Sequence, residues 1–395
     1  MKISILALGG GKKLKIQKLD ISGIGGIKEL SLTFTPGLNV ICGENGVGKT
    51  TVLNVIADVF SFNKQLVKRN AKVKEGQYHA QFSDFIADEV IKEFNPEDSQ
   101  NKVRNLKRSK YLMNLQINRD IQYSKLNAIP SDVHYEDFQL ADQAVLGINA
   151  NTIKGWFANR CLYSLQAQGF TKTMHENLKV AKESFGILDK TTKFSYIDPR
   201  TNDIMLETTK GTVFFEYLSS GYKTCIYIIL GILKEIEYRF DSVSHENFDG
   251  IILIDEVDIH LHPLWQAKLL HALKMIFKSA QIIVTTHSPS ILQSIERDEI
   301  IALTSNEEGD TVCKQLNLGK YGLQGWTLEE ILKDVMGMPS TTSEVYARTI
   351  KAFDQAMMDE NIAEIKKNYD ELDRMLHPNS TLRKLLQIQM AGMEE

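Results

Sequence analysis

The 395-residue sequence predicts an α/β fold: a mixed sheet flanked by helices, with a helical insertion and a helical C-terminal tail. Three observations predict it. Apolar runs of strand length (LNVIC, GIILI and AQIIV) each end in a polar turn and are followed by a helical pattern, as α/β folds require. Residues 13–41 alternate apolar and polar with a period of two, broken by Gly23, Gly25, Gly26 and the Pro36-Gly37 turn, which reads as three short strands. From about 328 onward the pattern turns helical and charged, as in KAFDQAMMDENIAEIKKNYDELDRML.

A helix is expected from 49 to about 60. Between 61 and 211 the signals mix, with helical stretches and one basic run, NKVRNLKRSK, at 101–110. Strands are expected at 193–197, 204–208 and 212–215, and a helix from Tyr222. The buried strand GIILIDEVD, a helix through LWQAKLLHALKMIF and the strand AQIIVTTHS follow, with EIIALTS as a further strand candidate. The expected units are 1–60 with 211–320 as two halves of one head, 61–210 as a largely helical insertion, and 321–395 as a helical partner-binding region. No sustained heptad points to a long coiled coil.

Composition narrows the class. Hydrophobic residues make up 43% and charged residues 24%, as in soluble globular proteins, and the net charge of −4 gives no overall basic field for nucleic acid. Cys42, Cys161, Cys225 and Cys313 are scattered without a CxxC pair, which argues against a zinc site or a disulfide framework and suits a reducing cytosol. The opening MKISILALGG has an apolar run of only about six residues, too short for a signal h-region. No run approaches the ~20 apolar residues of a membrane span. A cytoplasmic protein without a membrane partner is expected.

GENGVGKT, Gly43 to Thr50, fits G-x-x-x-x-G-K-[ST] between an apolar strand and a helix, the context of a phosphate loop and hence of a P-loop NTPase. Glycines at 43, 46 and 48 let the backbone amides wrap around phosphates, and the helix N-terminus adds positive potential. Lys49 would contact the β- and γ-phosphate oxygens of ATP, and the Thr50 hydroxyl would ligate Mg²⁺. The expected nucleotide-contacting stretch comprises Gly43, Glu44, Asn45, Gly46, Val47, Gly48, Lys49, Thr50 and Thr51.

IILIDEVDIHLHP puts two carboxylates at the carboxyl end of an apolar strand, where open α/β sheets gather ligands. Asp255 would hold Mg²⁺ and Glu256 would orient and deprotonate the attacking water. His287, in TTHSPSIL after another strand, could donate to the γ-phosphate and hold that water.

The order GENGVGKT, LSSGYK, ILIDEVD and TTHS resembles the ATP-binding-cassette ATPases, and more closely their soluble branch with RecF, the SMC heads and the OLD-type ATPases. LSSGYKT, DEVDIHLHPLWQ and THSPSIL look like the ATPases of the bacterial anti-phage systems Septu, retrons and PARIS. The resemblance implies an ABC/SMC-like head that dimerises, each ATP site completed by Ser219, Ser220 and Gly221 of a second copy. The family's LSGGQ is altered here at Ser220 and Tyr222. It also implies that Asp258 sits in the loop reading the opposite subunit; His262 either joins it or merely leads a helix. The family's glutamine finds candidates in Gln77 and Gln81.

A homodimer or higher homo-oligomer is therefore expected, controlling a separate nuclease or toxin subunit, with no nuclease activity of its own. The basic run at 101–110, five cations in ten residues, is either a solvated surface or a non-specific contact to a DNA backbone. Rival readings are a repair or chromosome-maintenance ATPase, a transporter ATPase subunit, and an ATP-locked scaffold that hydrolyses slowly or not at all.

Overall fold

The alternation at residues 13–41 folds into β1 (Ile16–Ile24), β2 (Ile27–Thr33) and β3 (Leu38–Gly43). The computed structural model describes residues 14–62, 66–98, 105–117, 119, 123–166 and 168–392. After β3 come α1 (Lys49–Asp58), β4 (Gly76–Phe82), β5 (Ile86–Ile91), β6 (Leu112–Leu115), α2 (Asp137–Leu146), α3 (Ile153–Tyr163) and α4 (Lys172–Leu188). The chain continues through β7 (Lys193–Ile197), β8 (Ile204–Thr208), β9 (Gly211–Phe214), α5 (Ser220–Arg239), β10 (Ile251–Ile254), α6 (Pro263–Ile276), β11 (Gln281–Thr285) and α7 (Pro289–Leu292). It then runs through β12 (Ile300–Ser305), β13 (Thr311–Cys313) and α8 (Leu328–Asp334).

Six strands in the order β13-β12-β3-β11-β10-β6 form the central sheet, parallel except for β13. Its inner strands are buried on both faces, which explains why LNVIC, IILI and QIIV read as unbroken apolar runs. Alternate residues serve two cores. Val40, Cys42, Ile252, Ile254, Ile282 and Val284 pack with α3 to α6, whereas Ile41, Ile251, Leu253 and Ile283 pack with α1 and a second, antiparallel sheet. That second sheet has the order β2-β1-β4-β5, and a small antiparallel sheet β7-β8-β9 lies on the helical side. Gln281 ties the first two sheets together: its amide accepts from the Ile16 backbone N–H at 2.8 Å and donates to the carbonyls of Ile16 and Thr35 at 2.9 and 2.7 Å.

Segment 61–210 differs from the expected largely helical insertion, because its described residues include β4 to β8. β4 alternates buried and outward residues (GQYHAQF) and β6 is a four-residue buried run, both too short for the longer windows in which helical periodicity is read. The C-terminal boundary also falls later than 321. The chain divides into units 1–337 and 338–395, and α8, with buried Ile331, belongs to the first. The second unit consists of α9 (Glu344–Met358), α10 (Ile362–Met375) and α11 (Thr381–Ala391). It has its own core of Phe353, Ala356, Ile365, Leu372, Leu386 and Met390, and a two-pronged Arg383–Asp373 ion pair at 2.7 and 2.8 Å.

Candidate nucleotide site

β3, β11 and β10 lie side by side and parallel, so the turns that leave their carboxyl ends meet. At Gly43 φ is +137° and a Cβ would stand 2.0 Å from the Leu303 carbonyl oxygen of β12, so only glycine fits. Gly46 and Gly48 are also left-handed, and Gly48 caps α1. Lys49 is buried, and its Nζ donates to the loop carbonyls of Gly43 and Glu44 at 3.0 and 2.6 Å. Burial pulls its pKa below the usual ammonium value, against the pull of the carboxylates of Glu256, Asp255 and Asp258. The Glu44 side chain is turned away to accept from Thr304 Oγ1 at 3.0 Å, and Val47 packs into the core, so these two offer backbone rather than side chain. Asn45 is exposed, and Thr51 lies 3.4 Å from where a Cβ on Gly25 would stand.

A chain of hydrogen bonds joins the three strand ends. Thr50 Oγ1 donates to Asp255 at 3.2 Å (Oδ1) and 3.0 Å (Oδ2), and Thr285 Oγ1 donates to the same Oδ1 at 2.5 Å. Thr285 Oγ1 in turn accepts from the Glu256 backbone N–H at 2.7 Å. Glu256 has φ +46°, a left-handed conformation that costs a non-glycine residue on the order of 1 kcal/mol. A hydroxyl and a carboxylate this close are the hard oxygen donors that Mg²⁺ takes alongside phosphate oxygens and water, so the residues present fit that ion.

The Asp258 carboxylate accepts from Thr286 Oγ1 at 2.6 Å and from the His287 backbone N–H at 3.2 Å. Both bonds fall on the same oxygen, Oδ1. The next residue, Ser288, donates through Oγ to Gln266 at 2.5 Å, anchoring the turn to α6. His287 is half-buried. Burial, and then the Lys49 charge, pulls its pKa below 6.5, which leaves a neutral imidazole near pH 7.

Ser219 caps α5, accepting from the Tyr222 backbone N–H at 3.4 Å, and Ser219 and Ser220 are both exposed. A Cβ at Gly221 would lie 2.4 Å from the His260 carbonyl oxygen, so this glycine admits the turn after β10 against the helix start. Tyr222, where the cassette signature has glutamine, is a buried core residue, edge-on to Trp265 with ring centroids 6.2 Å apart. Its hydroxyl donates to the Phe185 carbonyl. No hydrogen bond among the described residues joins Ser219, Ser220 or Gly221 to Lys49 or Thr50 of the same chain.

The sequence pattern of the AAA domain matches residues 18–207 and that of the AAA ATPase domain matches residues 158–292. A "Septu protein PtuA" of Bacillus thuringiensis is 42% identical over 388 residues, covering 96% of this chain and 98% of the relative. The chain belongs to the Septu PtuA family. It is an ABC-type ATPase of anti-phage defence, as its motifs imply. The "Retron Ec83 probable ATPase" of Escherichia coli is 28% identical over 162 residues, 41% of this chain and 29% of that protein. An SMC head bound to the C-winged helix domain of ScpA superposes with a TM-score of 0.48 at 16% identity, over 77% of this chain and 98% of that one. No helix among the described residues is long and apolar enough to cross a membrane.

In this PtuA-family chain Lys49, Thr50, Asp255, Glu256 and His287 gather at one set of strand ends, and the signature serines stand on the exposed start of α5. His262 is the N-cap of α6, its Nδ1 accepting from the Leu264 N–H at 3.3 Å, which favours the helix-leading reading. Gln77 and Gln81 are exposed on β4 in the antiparallel sheet, outside the site. The glutamine at the site is Gln116, directly after β6, which with Thr50, Asn54, Asn114, Arg119 and Asp255 lines a cleft of about 580 Å³. An apolar run ending in a polar residue, YLMNLQ, was its signal. Arg119 and Thr285 carried none, since their roles arise only from strand neighbours. Of the basic run, residues 101–104 lie outside the described residues. Arg108 is paired with Asp84 at 3.2 Å and lies over Phe85, and Lys110 lies over Tyr111 and Phe240.

The depressed His287 pKa sets a pH dependence. The unfolded chain takes up a proton near pH 6.5 that the folded imidazole resists, so stability falls as pH drops through about 6.5. His287→Gln, which does not titrate, is expected to shrink the stability difference between about pH 7.5 and 5.5 in urea unfolding. An unchanged difference assigns the acid sensitivity elsewhere, with buried His245 next in line.

Proposed function

We propose that this ATPase binds ATP with Mg²⁺ between Lys49, Thr50 and Asp255 and closes head-to-head on a second copy. Ser219, Ser220 and Gly221 of each copy complete the other's site. The observation that carries the reading is the hydrogen-bonded chain Thr50–Asp255–Thr285–Glu256 beside the Lys49 ammonium. Mg²⁺, when bound, supplies a Lewis acid that neutralises developing phosphate charge. Lys49 binds the phosphates, Glu256 holds and deprotonates the attacking water, and neutral His287 donates a hydrogen bond to the phosphate under attack.

Two features support closure on a partner. The signature serines are exposed at the start of a 20-residue helix, whose N–H groups and dipole suit an anion. The Lys49 ammonium of the same chain is not within their hydrogen bonding. Closure would then control a separate nuclease or toxin chain, docked on the C-terminal unit, where Met358, Ile362 and Ile388 are exposed.

Light scattering on the full chain with ATP tests closure. Glu256→Gln is expected to double in mass with ATP. Adding Ser219→Arg to it, which puts a bulky cation at the α5 start, is expected to keep it monomeric while ATP affinity changes by less than about threefold. A Ser219→Arg variant that still dimerises and hydrolyses ATP normally would remove the signature from the site.

A further inference from the structure

Arg119 enters the site from the segment after β6 and is 3% exposed. Its Nε donates to the Gln116 carbonyl at 2.8 Å, and one Nη2 serves two consecutive carbonyls, those of Asp255 and, at 3.0 Å, Glu256. The two carbonyls that share this donor flank the left-handed Glu256 backbone, φ +46°. The remaining nitrogen, Nη1, is buried without a partner among the described residues. Lysine could not reproduce these bonds, because a point ammonium lacks the planar fork that reaches Gln116 and the turn after β10 at once.

We propose that Arg119 is the positioning residue for Glu256: it clamps the strained 255–256 peptide and ties it to the Gln116 segment, so that the Glu256 carboxylate faces the water it deprotonates. This rests on the reading of Glu256 as the general base. Arg119 acts through backbone carbonyls and the side chains of Thr50, Lys49 and Asp255 keep their own partners, so its loss strikes the chemical step and spares nucleotide affinity.

The test compares wild type, Arg119→Ala, Arg119→Lys and Glu256→Gln as full chains. ATP turnover of Arg119→Ala is expected to fall about 100-fold, as for a catalytic group displaced by about 1 Å, with ATP affinity by fluorescent-nucleotide titration held within about threefold. Arg119→Lys is expected to stay at least about tenfold down. Added methylguanidinium, given room by the adjoining cleft, is expected to restore part of the turnover of Arg119→Ala and none of that of Glu256→Gln. Hydrogen exchange of the segment 252–261 should rise in Arg119→Ala. Turnover within about twofold of wild type, a parallel loss of turnover and affinity, or unchanged exchange overturns the proposal. If wild type and Glu256→Gln turn over ATP equally, the general-base reading falls by itself, and the exchange measurement alone then decides whether Arg119 clamps this turn.

Discussion

Glu256→Gln is expected to lower ATP turnover by about 10²- to 10⁴-fold while leaving ATP binding intact, the range that general-base groups contribute. The amide keeps the shape of the side chain and cannot accept the proton of the attacking water. What holds the residue is backbone: its N–H donates to Thr285 and its carbonyl accepts from Arg119. Neither bond depends on the carboxylate, so the turn survives the substitution. Removing a negative charge beside the Lys49 site also lessens repulsion of the γ-phosphate, and the variant is expected to hold ATP at least as well as wild type. Phosphate release measured alongside nucleotide binding checks both halves. Equal turnover in the two proteins would take the base role from Glu256 and leave the ATP-locked scaffold as the better description.

Lys49→Ala is expected to do the converse, weakening the binding of ATP itself. The ammonium stands among loop carbonyls that aim it at the phosphate position, and a hydrogen bond to a charged group is worth about 1.5–3 kcal/mol. Its removal is therefore expected to weaken ATP binding about 10- to 100-fold. The fold should tolerate the loss, because this buried cation is already penalised by desolvation. Calorimetry in the absence of ATP should show a melting temperature near that of wild type, and the stabilisation that ATP gives wild type should shrink. Wild-type ATP affinity in Lys49→Ala would place the phosphates somewhere other than this loop.

The division between what could be read and what could not follows the range of the interactions. Gly43–Thr50 was legible because a phosphate loop is one contiguous turn, its glycines demanded by local φ values and by one close approach to β12. ILIDEVD and TTHS were legible because a strand buried on both faces is apolar throughout, so the first polar residues after it stand out as belonging to a strand end. LSSGYK was legible as a helix cap, which the structure shows at Ser219; that it is half a site is what the resemblance implies. Its Tyr222 looked like a departure from the family's glutamine and proves to be a core residue against Trp265 and Phe185.

Tertiary structure alone decided which strands are neighbours. β6 joins the central sheet beside β10 across more than a hundred residues of sequence, and that pairing brings Gln116 and Arg119 under Asp255 and Glu256. The same is true of Thr285, whose hydroxyl links Asp255 to Glu256 only because β11 lies between β3 and β10. Asp258, which the resemblance puts in a loop reading another subunit, has one carboxylate oxygen held by Thr286 and the His287 N–H of its own chain, a placement no local pattern announced. The sequence by itself determined the identity of the phosphate loop, the acidic pair and the helix cap, since each is written within a few consecutive residues. The residues that aim these groups were decided by the sheet order, because a hydrogen bond between parallel neighbours leaves no periodicity in either strand.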